Sequence, residues 1–503
     1  MKYLLGIDLG TSGTKTVLFN ENGDVIASKT VEYPLSQPRN GWAEQNPLDW
    51  WNAVCAGMRH CVSHVTDIAG IGISGQMHGL VMLDEDGEVL RPSIIWCDQR
   101  TQAECDEMTE KIGHRRLMEI TANPAMTGFT ASKILWVKNN EPEIYQKCAH
   151  ILLPKDYIRY MLTGDFATEV SDAGGMQLLD VPGRCWSEEV LTKLGIDGQL
   201  LGRLYESCEI TGVVQNSASR MTGVPAGTPV VGGAGDNFAA AVGTGVVRKG
   251  RAFTTLGTSG VVFAHADNVK IDPAGRIHTF CSAVPGKWCV MSCTQAAGLS
   301  LRWTRDTLCT EEVAAANSSG KDPYEVMSQE AARIPIGSDR LFYLPYLMGE
   351  RSPILDPFAR GVFFGLSAMH TRAHMIRAVM EGVAFSQLDC VNVFREMGIP
   401  IDDMTACGGG ARSPLWRQML ADMYGCGVAT LAADEGPALG VAILAGVGTG
   451  IYESVESACD RMVKKKPAQP PQKENSAVYA RHYDVFRSLY PAMKDSFRSL
   501  SQL

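Results

Sequence analysis

Two short runs of glycine and hydroxyl residues constrain this chain more than any other feature. Gly6-Ile7-Asp8-Leu9-Gly10-Thr11-Ser12-Gly13-Thr14-Lys15 stands near the start, and Thr255-Leu256-Gly257-Thr258-Ser259-Gly260 repeats the idea far downstream. Each reads as a strand that stops at a tight turn before a second strand. Such a turn exposes backbone N–H groups and small hydroxyls that can wrap a phosphate. Two of them predict a duplicated fold with a nucleotide between the copies. At 503 residues the chain is also too long for one ordinary core, so two or three domains are expected.

The charge balance is 46 basic against 55 acidic residues, a net of −9, which disfavours non-specific nucleic-acid binding because that needs a basic face. A nucleotide is not repelled, since backbone dipoles and a metal ion can handle its phosphates. The 15 cysteines include no Cys-x-x-Cys pair, and they read as reduced, mostly buried small hydrophobes rather than a disulfide or zinc framework. The opening residues are too short for a signal peptide, and no apolar run reaches membrane-spanning length. These readings place the protein in the cytoplasm, away from membranes.

The first segment predicts three antiparallel strands, Tyr3 to Leu9, Thr14 to Phe19 and Val25 to Tyr33, with Asn22-Gly23 as a hairpin signal. Asn46-Pro47 supplies a helix cap and first-turn proline, followed by Trp51, Val54, Cys55, Met58 and Cys61 or Val62 at helical spacing. Ile68 to Ser74 is a buried strand, Val81 to Leu90 a further hairpin, and helical patterns dominate from about Thr101 to Gly164. The pattern restarts near Pro229. Strands are expected at Ala252 to Leu256 and Val261 to Ala264, and helices near Ala296–Thr307 and Arg372–Phe394. Asp434-Glu435-Gly436-Pro437 opens an alanine-rich helix read as packing. Lys464-Lys465-Lys466-Pro467 and Pro470-Pro471 read as a solvated linker, and an amphipathic helix follows from about Ser476. The fold class expected is α/β.

Asp8 falls where a strand meets the first turn. A carboxylate there can hold Mg²⁺ opposite phosphates, or it can simply tie down turn backbone. Asp236 ends an apolar strand in a glycine run, Val230-Val231-Gly232-Gly233-Ala234-Gly235, where small residues let a ligand approach. A strand-end carboxylate is a natural general base for a hydroxyl, and no other such carboxylate pairs as well with the two turns. His78, in Gln76-Met77-His78-Gly79, could bond sugar hydroxyls or be a structural histidine. Trp96 could pack on a sugar face or be core. Gly408-Gly409-Gly410-Ala411-Arg412-Ser413 precedes a helical run, and its bare backbone could accept a flat base or ribose.

In this order the pieces resemble the FGGY carbohydrate kinases, a branch of the actin-like ATPase superfamily. Gly128-Phe129-Thr130-Ala131-Ser132-Lys133-Ile134-Leu135-Trp136 matches one family signature, and Gly361-Val362-Phe363-Phe364-Gly365-Leu366 with His374 through Glu381 matches a second. Gly41-Trp42-Ala43-Glu44-Gln45, Met77-His78-Gly79, Gly235-Asp236-Asn237 and Ser413-Pro414-Leu415-Trp416 resemble the xylulokinase branch. The Met77-His78 pair, where glycerol kinases carry Arg-Glu, disfavours glycerol. The resemblance implies two actin-like (ribonuclease H-like) domains flanking a deep catalytic cleft, residues 1–248 binding sugar and 249–503 binding nucleotide.

Carried over by position, the resemblance puts Met77, His78, Trp96, Asp236 and Asn237 on the sugar, with Asp236 as the base. Asp8 and Asp236 would hold Mg²⁺. Thr11 and Ser12 would face the γ-phosphate, with Gly257 and Thr258 on the opposite side. Gly298 and Arg302 match a nucleotide-contact stretch, and Gly409, Gly410 and Ser413 would line the adenosine pocket. The implied reaction is ATP-dependent phosphorylation of D-xylulose at its 5-hydroxyl, with ATP and Mg²⁺ as cofactors and a homodimer as a permitted assembly. Kinases of other ketoses or polyols, a non-catalytic sugar sensor and a superfamily phosphatase are the rivals. A sensor would be expected to carry a DNA-binding module and to lose the base.

Overall fold

In the computed structural model, residues 2–63, 65, 67–432 and 435–503 are described, so Asp434, the expected start of the alanine-rich helix, lies outside them. The chain divides into two compact units. One comprises Met1–Arg248, His265–Cys289 and Ala433–Lys464; the other comprises Lys249–Ala264, Val290–Ala432 and Lys465–Leu503.

The first unit is built on a mixed sheet in the order Ile210–Val213, Pro229–Val231, Ile68–Gly75, Tyr3–Leu9, Gly13–Asn20 and Val25–Glu32, with Ala234–Gly235 also pairing with Ile68–Gly75. Tyr3–Leu9 runs antiparallel to Gly13–Asn20 and parallel to Ile68–Gly75. Leu4, Leu5, Ile7 and Leu9 are wholly buried, as expected of a central strand covered on both faces. The Asn22-Gly23 hairpin forms: Gly23 takes φ +81°, and the Asn20 carboxamide oxygen accepts from the backbone N–H groups of Asn22 and Asp24. One sheet face is covered by the helix Pro47–Val62, capped by the Asn46 side chain accepting from Leu48 N–H, with Trp50, Val54, Met58 and Cys61 buried beneath it.

The helix Gly436–Gly448 packs against this same sheet, although it is far away in sequence. A Cβ on Gly6 would collide with the Ala438 carbonyl, and one on Gly72 with that of Val441. Only bare backbone lets helix and strands approach so closely. The expectation that this helix serves packing is met. The helices between Gln102 and Thr163 form a separate apolar core around Met108, Leu117, Ile134, Leu135 and Ile151.

The second unit repeats the local pattern. Gly250–Leu256 runs antiparallel to Gly260–Ala266 and parallel to Ile401–Cys407, with Gly427–Ala429 beyond. A hairpin closed by a glycine-hydroxyl turn, its first strand parallel to a later one, therefore occurs twice. The helices Arg372–Glu396 and Lys473–Leu500 pack here, and Tyr479 donates from its hydroxyl to the Glu381 carboxylate between them.

The hairpin expected after Val81 closes, with Asp84 N–H donating to the Glu88 carbonyl and Leu90 N–H to that of Met82, and its first arm Val81–Leu83 also pairs with His150–Leu152. One expectation needs correction. The stretch after Lys464 is exposed yet is no free linker: Gln469 and Val428 exchange both backbone hydrogen bonds, and Lys466 N–H donates to the Thr430 carbonyl. An exposed strand edge gains hydrogen bonds by taking on a strap of this kind. Most of the cysteines are buried, as read from the sequence, and no disulfide joins them among the described residues. Among the described residues no helix is long and apolar enough to cross a membrane.

Candidate active site

In the first unit the ends of parallel strands bring the sugar-side and metal-side candidates together. Asp8 lies level with Ser74, and Ser74 with Ala234, so Asp8 and Asp236 emerge at the same edge of the sheet. Ligands of open α/β sheets bind at such carboxyl-terminal strand ends. Burial pushes the Asp8 carboxyl up to about 6, against Ser74 and Lys15, which lower it. Asp236 is pushed up to about 7, first by burial and then by the negative charge of Asp8. Asp8 Oδ1 is buried with no hydrogen-bond partner in the structure. An orphaned carboxylate oxygen at the same strand ends as a second carboxylate suits a hard cation. No cluster of three or more His, Cys, Asp or Glu side chains forms a metal site among the described residues. Any cation would therefore need further oxygen ligands of another kind, such as carbonyl, hydroxyl, water or phosphate oxygens.

Asp236 is the first residue of the helix Asp236–Gly243. Asn237 donates from both its backbone N–H (2.7 Å) and its Nδ2 (2.9 Å) to Asp236 Oδ1. Among the described residues no hydrogen bond falls on Oδ2, which leaves that oxygen able to accept one from a ligand hydroxyl. The Asn237 amide also lies 3.8 Å from Met77 Sδ. Gly235 permits this crowding, since a Cβ there would sit 2.8 Å from Met77 Cγ.

His78 is held in the left-handed region at φ +68°, which costs a residue with a Cβ free energy. Its ring stacks on Phe129 at 4.2 Å between centroids, and its Nδ1 is 2.9 Å from the Gly175 carbonyl. A carbonyl can only accept, so Nδ1 carries the proton. Trp96 is 44% exposed, unusual for a large aromatic, and its Nε1 donates to Thr11 Oγ1 at 2.9 Å. That bond ties a sugar-side candidate to the first turn. Within the turn, Gly10 N–H donates to the Gly13 carbonyl, and the Ser12 carbonyl accepts from Tyr33 N–H.

In the second unit, Gly257, Thr258, Gly298, Arg302, Gly409, Gly410 and Ser413 all line one cavity of about 850 Å³. The size suits a nucleotide-scale ligand. Its apolar wall includes Leu256, Leu299, Met380 and Trp416, and Tyr324, Ser328 and Gln329 supply polar groups. Nothing lies within 4 Å of a Cβ on Gly409, whereas one on Gly410 would press on Leu256 and Trp416. Two of the seven carry structural duties as well. Gly298 N–H donates to the Gly257 carbonyl at 2.6 Å and cross-braces the second turn. Ser413 Oγ caps the helix Pro414–Tyr424 and bonds the Ser328 hydroxyl. Phe129, Gly175, Lys133 and Tyr324 were not singled out from the sequence. The first three surround His78, and a signal for two of them lay inside the first signature.

The model of the FGGY carbohydrate kinase N-terminal domain matches residues 3–243, and that of the C-terminal domain matches residues 252–449. A xylulose kinase of Bacillus subtilis is 39% identical over 499 residues, covering 98% of each chain. The crystal structure of a xylulose kinase from Rhodospirillum rubrum is 30% identical, with a TM-score of 0.92 over 99% of this chain and all of that one. A gluconokinase of Bacillus subtilis is 33% identical over 507 residues, covering 99% of this chain and 98% of that one. The chain belongs to the FGGY family of carbohydrate kinases, enzymes of the actin-like ATPase fold.

Proposed function

We propose that this kinase transfers the γ-phosphoryl group of ATP to the 5-hydroxyl of D-xylulose, giving D-xylulose 5-phosphate and ADP. The observation that carries the reading is the Asp236 carboxylate. It is raised to about 7 beside Asp8, is held by Asn237 on one oxygen only, and stands next to Met77 and the His78 loop. A base poised near neutrality can take the proton of an alcohol as its oxygen attacks phosphorus. The full-length likeness to xylulose kinases supports a ketose as acceptor.

Phosphoryl transfer asks for in-line positioning and charge stabilisation more than covalent work. Asp236 accepts the proton of the attacking hydroxyl. His78, Asn237 and Trp96 orient the sugar, with Met77 as an apolar wall. Thr11, Ser12, Gly257 and Thr258 bind phosphate oxygens through turn N–H and hydroxyl groups. Gly298, Arg302, Gly409, Gly410 and Ser413 bind the rest of the nucleotide. Asp8 and Asp236 would hold Mg²⁺, which when bound offsets phosphate charge.

The gluconokinase likeness supports a second reading, in which the acceptor is an open-chain sugar acid. The first unit's sugar side presents histidine, asparagine, tryptophan and methionine with two carboxylates, and no arginine among these candidates, so a neutral ketose fits better. Sugar-dependent ADP release across D-xylulose, D-ribulose, L-xylulose, gluconate and glycerol decides between them. The highest kcat/KM on D-xylulose is expected; a preference for gluconate overturns the assignment, and equal ATP turnover with and without any sugar overturns the kinase reading of the site.

A further inference from the structure

Lys133 is wholly buried in the helix Thr130–Asn140, where its Nζ donates to the His78 carbonyl at 2.8 Å and to the Gly128 carbonyl at 2.7 Å. Thr130 Oγ1 donates to the same His78 carbonyl at 3.1 Å. No carboxylate lies within ion-pair distance of this ammonium among the described residues.

Such a placement is hard to explain as fold stabilisation. Burying an unpaired cation is costly, and an apolar side chain of similar volume would fill the space at less cost. Lys133 also sits in the first turns of its helix, where the helix dipole disfavours positive charge. What its two hydrogen bonds do is hold backbone. One fixes the peptide after His78, whose left-handed conformation is otherwise unfavourable. The other fixes Gly128, next to Phe129, on which the His78 ring stacks. The ring's third restraint, the Gly175 carbonyl, is equally tight: a Cβ on Gly175 would lie 2.5 Å from His78 Nδ1. One ammonium therefore holds both the histidine backbone and the segment carrying its stacking partner.

We propose that Lys133 is a positioning residue of the sugar side, setting the direction of the His78 imidazole through the His78 and Gly128 carbonyls, with Thr130 as its second clamp. The inference rests on His78 facing the sugar, as proposed above.

The test is a double-mutant cycle on the full-length enzyme with D-xylulose and MgATP. Lys133→Met is expected to raise KM for D-xylulose about 10- to 100-fold and to leave KM for ATP within twofold. Thr130→Val, nearly isosteric and free of buried charge, should raise the same KM several-fold and serves if Lys133→Met does not fold. In a His78→Ala background each substitution should add less than twofold. An undiminished effect in that background, or an unchanged sugar KM, overturns the proposal. The ¹⁵N-histidine spectrum of the ligand-free protein separates this outcome from failure of the functional reading. A displaced His78 Nδ1–H resonance in Thr130→Val supports the clamp whatever the substrate proves to be, and an unmoved one contradicts it.

Discussion

The carbonyl oxygen of Ala239 occupies the space that a Cβ on Gly440 would need. The helices Asp236–Gly243 and Gly436–Gly448 thus touch backbone to backbone, and the reciprocal contact joins Gly243 to the Gly436 carbonyl. The helix that begins with the proposed base is seated on a segment from near the other end of the chain. That segment is itself pressed onto the strands carrying Asp8 and Ser74.

This seating makes Gly440→Ala costly. The methyl group has no room, and overpacking of this kind destabilises by about 1–3 kcal/mol. Chemical denaturation should show a lower midpoint, and kcat should fall as the Asp236 helix shifts. Unchanged stability would mean that the crossing is looser than described.

The two glycines of the second-unit cavity should behave oppositely. Gly409 faces open space, so Gly409→Val should keep the melting temperature within about 2 °C while raising KM for ATP, the side chain filling nucleotide space. Gly410 abuts Leu256 and Trp416, so Gly410→Val should destabilise the fold by about 1–3 kcal/mol. Thermal melts and ATP titrations on both variants separate the roles.

Asp8→Asn removes a carboxylate whose Oδ1 has no protein partner. Calorimetric titration with ATP should show the Mg²⁺-dependent gain in affinity shrinking at least tenfold, with metal-free nucleotide binding little changed. An intact Mg²⁺ dependence would move the cation site elsewhere.

Lys133 gives the fold a pH signature. Burial lowers its ammonium to about 7 from an ordinary 10.5. Between those values the unfolded chain binds the proton more fully than the folded one, so the stability contribution rises with pH across this window and is flat above it. Unfolding free energies at several pH values, wild type minus Lys133→Met, should slope upward from about pH 7 to 10. A flat difference would mean that the amine titrates normally.

Much of this was legible in the sequence because it is local. The two turns, the Asn22-Gly23 hairpin and the Asn46-Pro47 cap depend on neighbouring residues, and so did the strand-end placement of Asp8 and Asp236. Of the seven second-unit candidates that line one cavity, Gly257 and Thr258 come from a strand-to-strand turn and the other five from strand-to-helix junctions, all of them local motifs. Other features are carried by distant partners. The run Gly436–Gly448 is apolar all round, so its sequence gives no face, and nothing local says that Gly6 and Gly72 wait for it. Lys133, inside the helix Thr130–Asn140, has its acceptors set by the turn at His78 and by Gly128, which no periodicity reveals. The strap after Lys464 reads as linker because backbone pairing leaves no mark on side chains.

The central claim is that the Asp236 carboxylate removes the proton from the attacking sugar hydroxyl. Single-turnover rapid quench with saturating MgATP and D-xylulose, comparing wild type with Asp236→Asn, isolates that step. The account predicts a fall in the transfer rate of about 10²- to 10⁴-fold, with nucleotide affinity preserved. A transfer rate within threefold of wild type would contradict it.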